Sequence, residues 1–289
     1  MKGCYKIYLA VLVVFSTFNL QAACPAYYGD ETVTEAGITY NVLYFANPGE
    51  VSPTSGDYGG PTNPITDWNS SDGGMDAIND CGGNVYMRFI SCYYNTDNEY
   101  GDINFTDRLV NAGLNNVILD GQGAFMENLA AATSFLRVSR RNNWTIRNFT
   151  FSGWNANAIL LTDMTNTVVE NCIFDSNPTQ RAVRVDTQDG SALGGSDVTF
   201  NNCVFSNNPP VSETPSTGAV EIREDEFPAG NASNLVVTFN DCDFTCNARQ
   251  GMGGGALWIS PTAFPSNAGA YRLHQWWFFC WQFFRNRYR

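Results

Sequence analysis

The sequence predicts an all-β fold, a right-handed parallel β-helix (a solenoid) with a short N-terminal cap, and three observations predict it. Four segments superimpose without gaps: Trp144-Thr-Ile-Arg-Asn148-Phe-Thr-Phe151, Thr167-Val-Val-Glu-Asn171-Cys-Ile-Phe174, Val198-Thr-Phe-Asn-Asn202-Cys-Val-Phe205 and Val237-Thr-Phe-Asn-Asp241-Cys-Asp-Phe244. A second family of short apolar strands alternates with them: Phe135-Leu-Arg-Val138, Ala158-Ile-Leu-Leu161, Ala182-Val-Arg-Val185, Ala219-Val-Glu-Ile222 and Ala256-Leu-Trp-Ile259. The polar anchors Asn148, Asn171, Asn202 and Asp241 follow one another at 23, 31 and 39 residues, and the shortest interval is about one coil of a stacked repeat.

Each strand pair has an apolar face that it cannot bury alone. Coils therefore stack, with each position about 4.8 Å above its equivalent and like packed on like. The columns Phe151, Phe174, Phe205, Phe244 and Phe149, Cys172, Cys203, Cys242 then point inward, and the three cysteines read as small packing groups rather than catalysts or metal ligands. The anchors fall at a bend as a polar ladder, because Asn and Asp tolerate left-handed backbone and can bond to neighbouring coils. The growing interval is insertion: extra loops at about 186–196 and 223–233 leave the same corner of successive coils. Asn116-Val-Ile-Leu-Asp-Gly121 is a more degenerate first copy.

In chain order, residues 1–23 read as a secretory signal, with Lys2 and Lys6, an apolar run from Ile7 to about Phe18, and Ala22-Ala23. That run is short for a membrane span and no other segment qualifies, so the expected location is secreted or cell-surface, outer-membrane association included, with no integral span. Cys24 also suits a lipoprotein cleavage site, although Leu20 stands one place too far away. Residues 24–71 form a polar Gly/Pro-rich segment, and Met75 to Tyr86 reads as a short helix, a glycine turn and a strand that cap the coils of 72–264. Cys81 with Cys92 and Cys242 with Cys246 are candidate local disulfides, and spacing alone settles neither.

The aromatic, basic stretch 265–289 has no counterpart upstream. Reading its codons one base later permits Val-Ser-Ile-Asn-Gly-Gly-Ser-Phe-Val-Gly-Asn over 272–282, which aligns on Val237 to Asn247. We read the tail as a frameshifted continuation of the repeat, with a partner- or membrane-binding amphipathic tail as the rival; nucleotide sequencing across these codons decides between them.

Charge narrows the partners. The chain carries 16 Lys+Arg against 28 Asp+Glu, a net charge of −12, and its only lysines lie in the signal. Such a surface repels nucleic acid and anionic membranes but is compatible with calcium and neutral glycans. The outward positions of the second strands are Arg137, Leu160, Arg184, Glu221 and Trp258, followed two places on by Ser139, Thr162, Asp186, Arg223 and Ser260. Arg184, Asp186, Glu221 and Arg223, with Arg137 in the same column, form the candidate glycan-binding or catalytic face beside the enlarged loops. Asp186, Glu221 and Glu224 could hold calcium there, although no cofactor is required. With no lysine after the signal and His274 alone in the tail, a catalytic base would have to be Arg, a carboxylate or Tyr. The plainer alternative is that alternating Arg and Glu form cross-strand ion pairs. Arg140-Arg141 and Glu224-Asp225-Glu226 read as solvated turns.

From about Asp72 to Ile259, Cys81-Gly-Gly-Asn-Val-Tyr and the paired strand families resemble the pectin-lyase-like β-helix superfamily. Phe-x-x-Asn (Phe174 to Asn177, Phe205 to Asn208, Phe244 to Asn247) together with Gly254-Gly-Ala-Leu257 is similar to the repeats of polymorphic outer-membrane proteins and bacterial adhesins. That resemblance implies a non-catalytic protein presenting corner loops to extracellular glycans or host surfaces. Gly218-Ala-Val-Glu-Ile-Arg-Glu224 is also similar to the alginate and chondroitin lyase group, which implies cleavage of acidic polysaccharides by a lyase or hydrolase as the alternative; the catalytic lysine expected shortly afterwards is missing.

Overall fold

The computed structural model describes residues 24–25, 27–47, 56–68, 73–95, 103–104, 114–129, 134–154, 157–177, 181–187, 196–208, 218–224, 235–247, 255–259 and 277–278. Strands β1 (Thr32–Glu35) and β2 (Ile38–Phe45) form an antiparallel hairpin that turns through left-handed Ala36 and Gly37. Helix α1 (Gly74–Asp80), β3 (Val85–Phe89), β4 (Tyr93–Asn95), β5 (Ile103–Asn104) and the long β6 (Val117–Glu127) follow. The next strands are β7 (Leu136–Ser139), β8 (Trp144–Ser152), β9 (Ile159–Thr162), β10 (Thr167–Glu170), β11 (Ile173–Asp175) and β12 (Val183–Thr187). After these come β13 (Asp197–Asn201), β14 (Val204–Ser206), β15 (Gly218–Glu224), β16 (Val236–Asn240), β17 (Asp243–Thr245), β18 (Gly255–Ile259) and β19 (Trp277–Phe278).

Successive coils pair in parallel. One sheet runs β2-β3-β6-β8 and then divides at the anchor, with β10, β13 and β16 on one side and β11, β14 and β17 on the other; the second runs β5-β7-β9-β12-β15-β18. The register is the ungapped alignment: Ile146, Val169, Phe200 and Phe239 lie in one column, and Phe151, Phe174, Phe205 and Phe244 in another. Chain that leaves the second sheet after Thr187 and Glu224, themselves paired, rejoins at the paired Asp197 and Val236, so both insertions, whose interiors lie outside the described residues, depart from and return to matching points of successive coils.

Interior columns show why these residues recur. Rings stack at 5.2 Å (Phe151 on Phe174), 5.0 Å (Phe174 on Phe205) and 4.7 Å (Phe205 on Phe244), close to the coil spacing. Cys172, Cys203 and Cys242 are buried beside them. Contact with the neighbouring thiol, then burial, pushes Cys203 and Cys242 well above the ordinary thiol range, which suits packing and not nucleophilic work.

The anchors Asn148, Asn171, Asn202 and Asp241 have φ of 60°, 52°, 51° and 50°, the left-handed bend expected of them. Beside the backbone ladders, the side-chain bonds that link coil to coil, however, run mainly along two other asparagine columns. At the opposite corner Asn116, Asn143 and Asn166 each donate a side-chain N–H to the previous coil's Asn84, Asn116 and Asn143. In the interior the Phe-x-x-Asn residues form a second ladder. Asn177 Nδ2 donates to Asn208 Oδ1 (3.0 Å), and Asn208 Nδ2 to Asn247 Oδ1 (3.0 Å). The same amides donate to the carbonyls of Phe151 and Phe174 and accept from the backbone N–H of Trp154 and Asn177.

Several expectations need correction. Strand β2 pairs in parallel with β3, so the sheet begins inside the segment that composition marked only as polar and Gly/Pro-rich. Cys81 is bridged to Cys24, 57 residues away, rather than to Cys92, and Cys242 is a buried member of the thiol column rather than a partner of Cys246. Cys24's sulfur is thereby occupied, which runs against its use as a lipid anchor. Arg141 is buried, not a solvated turn residue: it occupies the position between Leu114 and Met164 in adjacent coils, and its Nη1 donates to the Arg140 carbonyl at 2.6 Å. Burial and the like charge of Arg140 lower its pKa. Arg140 itself is half-exposed beside the buried Asp163. Residues 277–278 add a parallel rung to β17, with Trp277 opposite Asp243 and Phe278 opposite Phe244, one place from the alignment that the shifted reading frame gives. Among the described residues no helix is long and apolar enough to cross a membrane.

Candidate functional site

Pairing places the predicted face as the alternation required. Arg137, Leu160, Arg184, Glu221 and Trp258 form one column, and Ser139, Thr162, Asp186 and Arg223 the next. Three of the predicted residues converge with a fourth that the pattern missed. Arg181 Nη1 lies 2.5 Å from Glu221 Oε2, Arg184 Nε lies 3.6 Å from the same oxygen, and Arg184 Nη2 contacts Asp186 Oδ2. Arg181 Nε also donates to Asn157 Oδ1 at 3.0 Å. Arg181 stands just before the strand, where the aligned coils carry Ser134, Asn157 and Gly218, and that odd residue was the available signal.

This cluster is closed. Asp186 and Glu221 are only 5% and 4% exposed, and their charges are met by Arg181 and Arg184 rather than offered to a ligand. Burial lowers the Arg181 pKa, opposed by Glu221. Arg223 is the partly exposed register partner of Asp186, and Arg137 lies two coils from Arg184 with Leu160 between. Of the suggested calcium ligands, Asp186 and Glu221 face arginines, and the Glu224 side chain lies outside the described residues.

A second polar cluster lies on the outer face of the first sheet, where the β1–β2 hairpin packs Val33, Ile38, Tyr40 and Val42 around Tyr86 and Ile118. Arg147 ties it together: it donates to Asp120 (3.0 Å), Glu35 (2.6 Å) and Tyr86 Oη (2.7 Å), while Tyr86 donates to Asp120 (2.5 Å). Burial alone would raise the Asp120 pKa. Donors from Tyr86, Asn148, the Gln122 backbone and Arg147 outweigh it and hold the carboxyl below its usual range. Asp120 therefore stabilises the fold fully above its unfolded pKa of about 3.9, and the contribution drains away as pH falls through and below that value. Asp120→Asn should cost roughly 1–3 kcal/mol near neutrality. The gap to the parent protein in thermal melts should then hold near neutrality and shrink as pH falls from about 5 through about 3.9 and below, and a gap independent of pH would contradict this assignment.

Beside this cluster the first sheet opens into a groove of about 380 Å³, bordered by Gln122, Gly123, Asn148, Phe149, Thr150, Asn171 and Ile173. Its overhang comes from β6: three residues, Gly121 to Gly123, span the corner that Asn148 turns alone one coil on, and the register breaks between Asp120 and Ala124. Gly121 must be glycine, since a Cβ there would sit 2.5 Å from the Asn148 carbonyl oxygen. Along the coil axis the outward column reads Tyr93, Phe125, Thr150, Ile173, Val204 and Asp243. Tyr93 and Phe125 stack at 6.0 Å with their planes 11° apart, and Ile173 is 40% exposed. Strand periodicity could have given this column, but the bulge that walls it has no repeat to betray it.

Residues 134–253 match the family model described as a right handed beta helix region. This segment is a right-handed parallel β-helix. No curated protein and no solved structure matches the chain. The β-helix is the fold that the pectin-lyase-like resemblance implied, and a fold shared by many activities leaves function to be argued from its surfaces.

Proposed function

We propose that the protein is exported and acts outside the cell or at its surface as a β-helix that binds glycans without cleaving them. The observation carrying this reading is the groove beneath Gln122 and Gly123, where side-chain amides, a hydroxyl and an aliphatic surface line up next to an aromatic pair. Sugars present hydroxyls on their edges and C–H groups on their faces, and a surface of amides alternating with apolar groups meets both. The disulfide between Cys24 and Cys81 supports an oxidising compartment, in keeping with the signal-like residues 1–23. No cofactor enters this reading.

Cleavage of acidic polysaccharides at the Arg184 face is the competing reading. What weighs against it is that Arg181 and Arg184 are committed to Glu221 and Asp186, so neither a cationic cradle nor a carboxylate pair is available. Calorimetric titration with a panel of soluble oligosaccharides should give binding that Thr150→Arg, on the outward face of β8, abolishes. Release of unsaturated products from alginate, pectate or chondroitin, lost in Arg184→Ala, Arg223→Ala, would move the function to the other face.

A further inference from the structure

The groove also carries information about which glycans it takes. None of the seven residues that line it bears a charge, but its surroundings do. The next outward column on the same strands reads Asn95, Glu127, Ser152, Asp175, Ser206 and Thr245, which sets two carboxylates along one side. Tyr93 Oη donates to Glu127 at 2.5 Å. Asp175 accepts from Ser206 Oγ (2.5 Å), Asn207 Nδ2 (2.9 Å) and Ser176 Oγ (2.8 Å), an arrangement built to hold a negative charge in place. Across the corner the flanking guanidinium is Arg147, and it is already shared among Asp120, Glu35 and Glu170. Asp241 and Asp243 stand exposed two coils beyond Asn171 and Ile173. Among the described residues, every fixed charge along the groove is therefore a carboxylate or a guanidinium that carboxylates have neutralised.

We infer that the groove selects neutral glycans, laid along the coil axis over Phe125, Thr150, Ile173 and Val204, and rejects uronate-bearing chains. The inference rests on the groove being the glycan site. A uronate in the groove would bring its carboxylate within a Debye length of Glu127 and Asp175, with no uncommitted cation among the described residues along the groove to answer it. The apolar column runs across the strands, so the bound chain follows the stack and meets one equivalent side chain per coil.

Calorimetric titration with matched hexasaccharides tests this: glucan against glucuronan, galactan against galacturonan, and mannan against mannuronan. At least one neutral member should bind, its uronate counterpart should bind at least about tenfold more weakly at low salt, and Glu127→Gln with Asp175→Asn should narrow that ratio. Thr150→Arg, with circular dichroism confirming its fold, should abolish the neutral binding. A uronate member binding as tightly as its neutral match, and losing that binding in Thr150→Arg, overturns the selectivity and keeps the groove. Binding by no member, or binding indifferent to Thr150→Arg, overturns the groove assignment itself.

Discussion

Replacing Asn208 with alanine is expected to lower the stability of the β-helix by roughly 3–5 kcal/mol, since each buried polar group left without a partner costs about 1–3 kcal/mol. Asn208 is 1% exposed and sits mid-ladder. Its amide donates to the Phe174 carbonyl (2.9 Å) and to Asn247 Oδ1 (3.0 Å), and its oxygen accepts from the backbone and side chain of Asn177 (3.0 Å each). Alanine strips all four and leaves groups of two neighbouring coils unpaired in an interior where water cannot replace them. The comparison that isolates the ladder is Asn202→Gly, at the exposed left-handed corner, where glycine keeps the backbone and little else is lost. Thermal and urea unfolding should show a melting point lower by roughly 10 °C in the first variant and nearly unchanged in the second. Equal, small losses in both would mean that corner conformation, not the buried amides, holds the coils in register.

Opening the bridge between Cys24 and Cys81 should cost about 4 kcal/mol in the chain-entropy account, because the bridge closes a 57-residue loop. That loop holds the hairpin and most of the cap: Cys81 follows α1 directly and is fully buried with Ala77 and Ile78, while Cys24 packs against the same core. Losing the link frees the N-terminal segment before it frees the coils, so the cap should melt first. The test is Cys81→Ser, with Cys92→Ser in both proteins to keep exchange out, followed by thermal unfolding and by non-reducing peptide mapping of the parent protein. A linked peptide containing Cys24 and Cys81, with a melting point that falls on reduction, is the expected result. A lipid on Cys24 and indifference to reductant would instead restore the lipoprotein reading.

The sequence by itself determined the stack: strand families, their register, the inward phenylalanine and cysteine columns, the left-handed anchors and the corner that takes insertions. Stacking makes these legible, because every coil meets the same neighbours at the same position, so one physical demand is written several times at a readable interval. The outward column of Arg137, Arg184 and Glu221 was legible for the same reason. Tertiary structure alone decided what lies outside the period. Arg181 joins Glu221 from a corner position, Cys24 reaches Cys81 across a long loop, β1 and β2 fold back over Tyr86 and Ile118, and Gly121 to Gly123 bulge over Asn148. Each occurs once, and its partner is set by chain geometry rather than by a spacing. The asparagines show the boundary within one residue type: sequence places the anchor column and the Phe-x-x-Asn column, whereas the column of Asn84, Asn116, Asn143 and Asn166, and which amides face a neighbour close enough to bond, emerge only from how each corner turns.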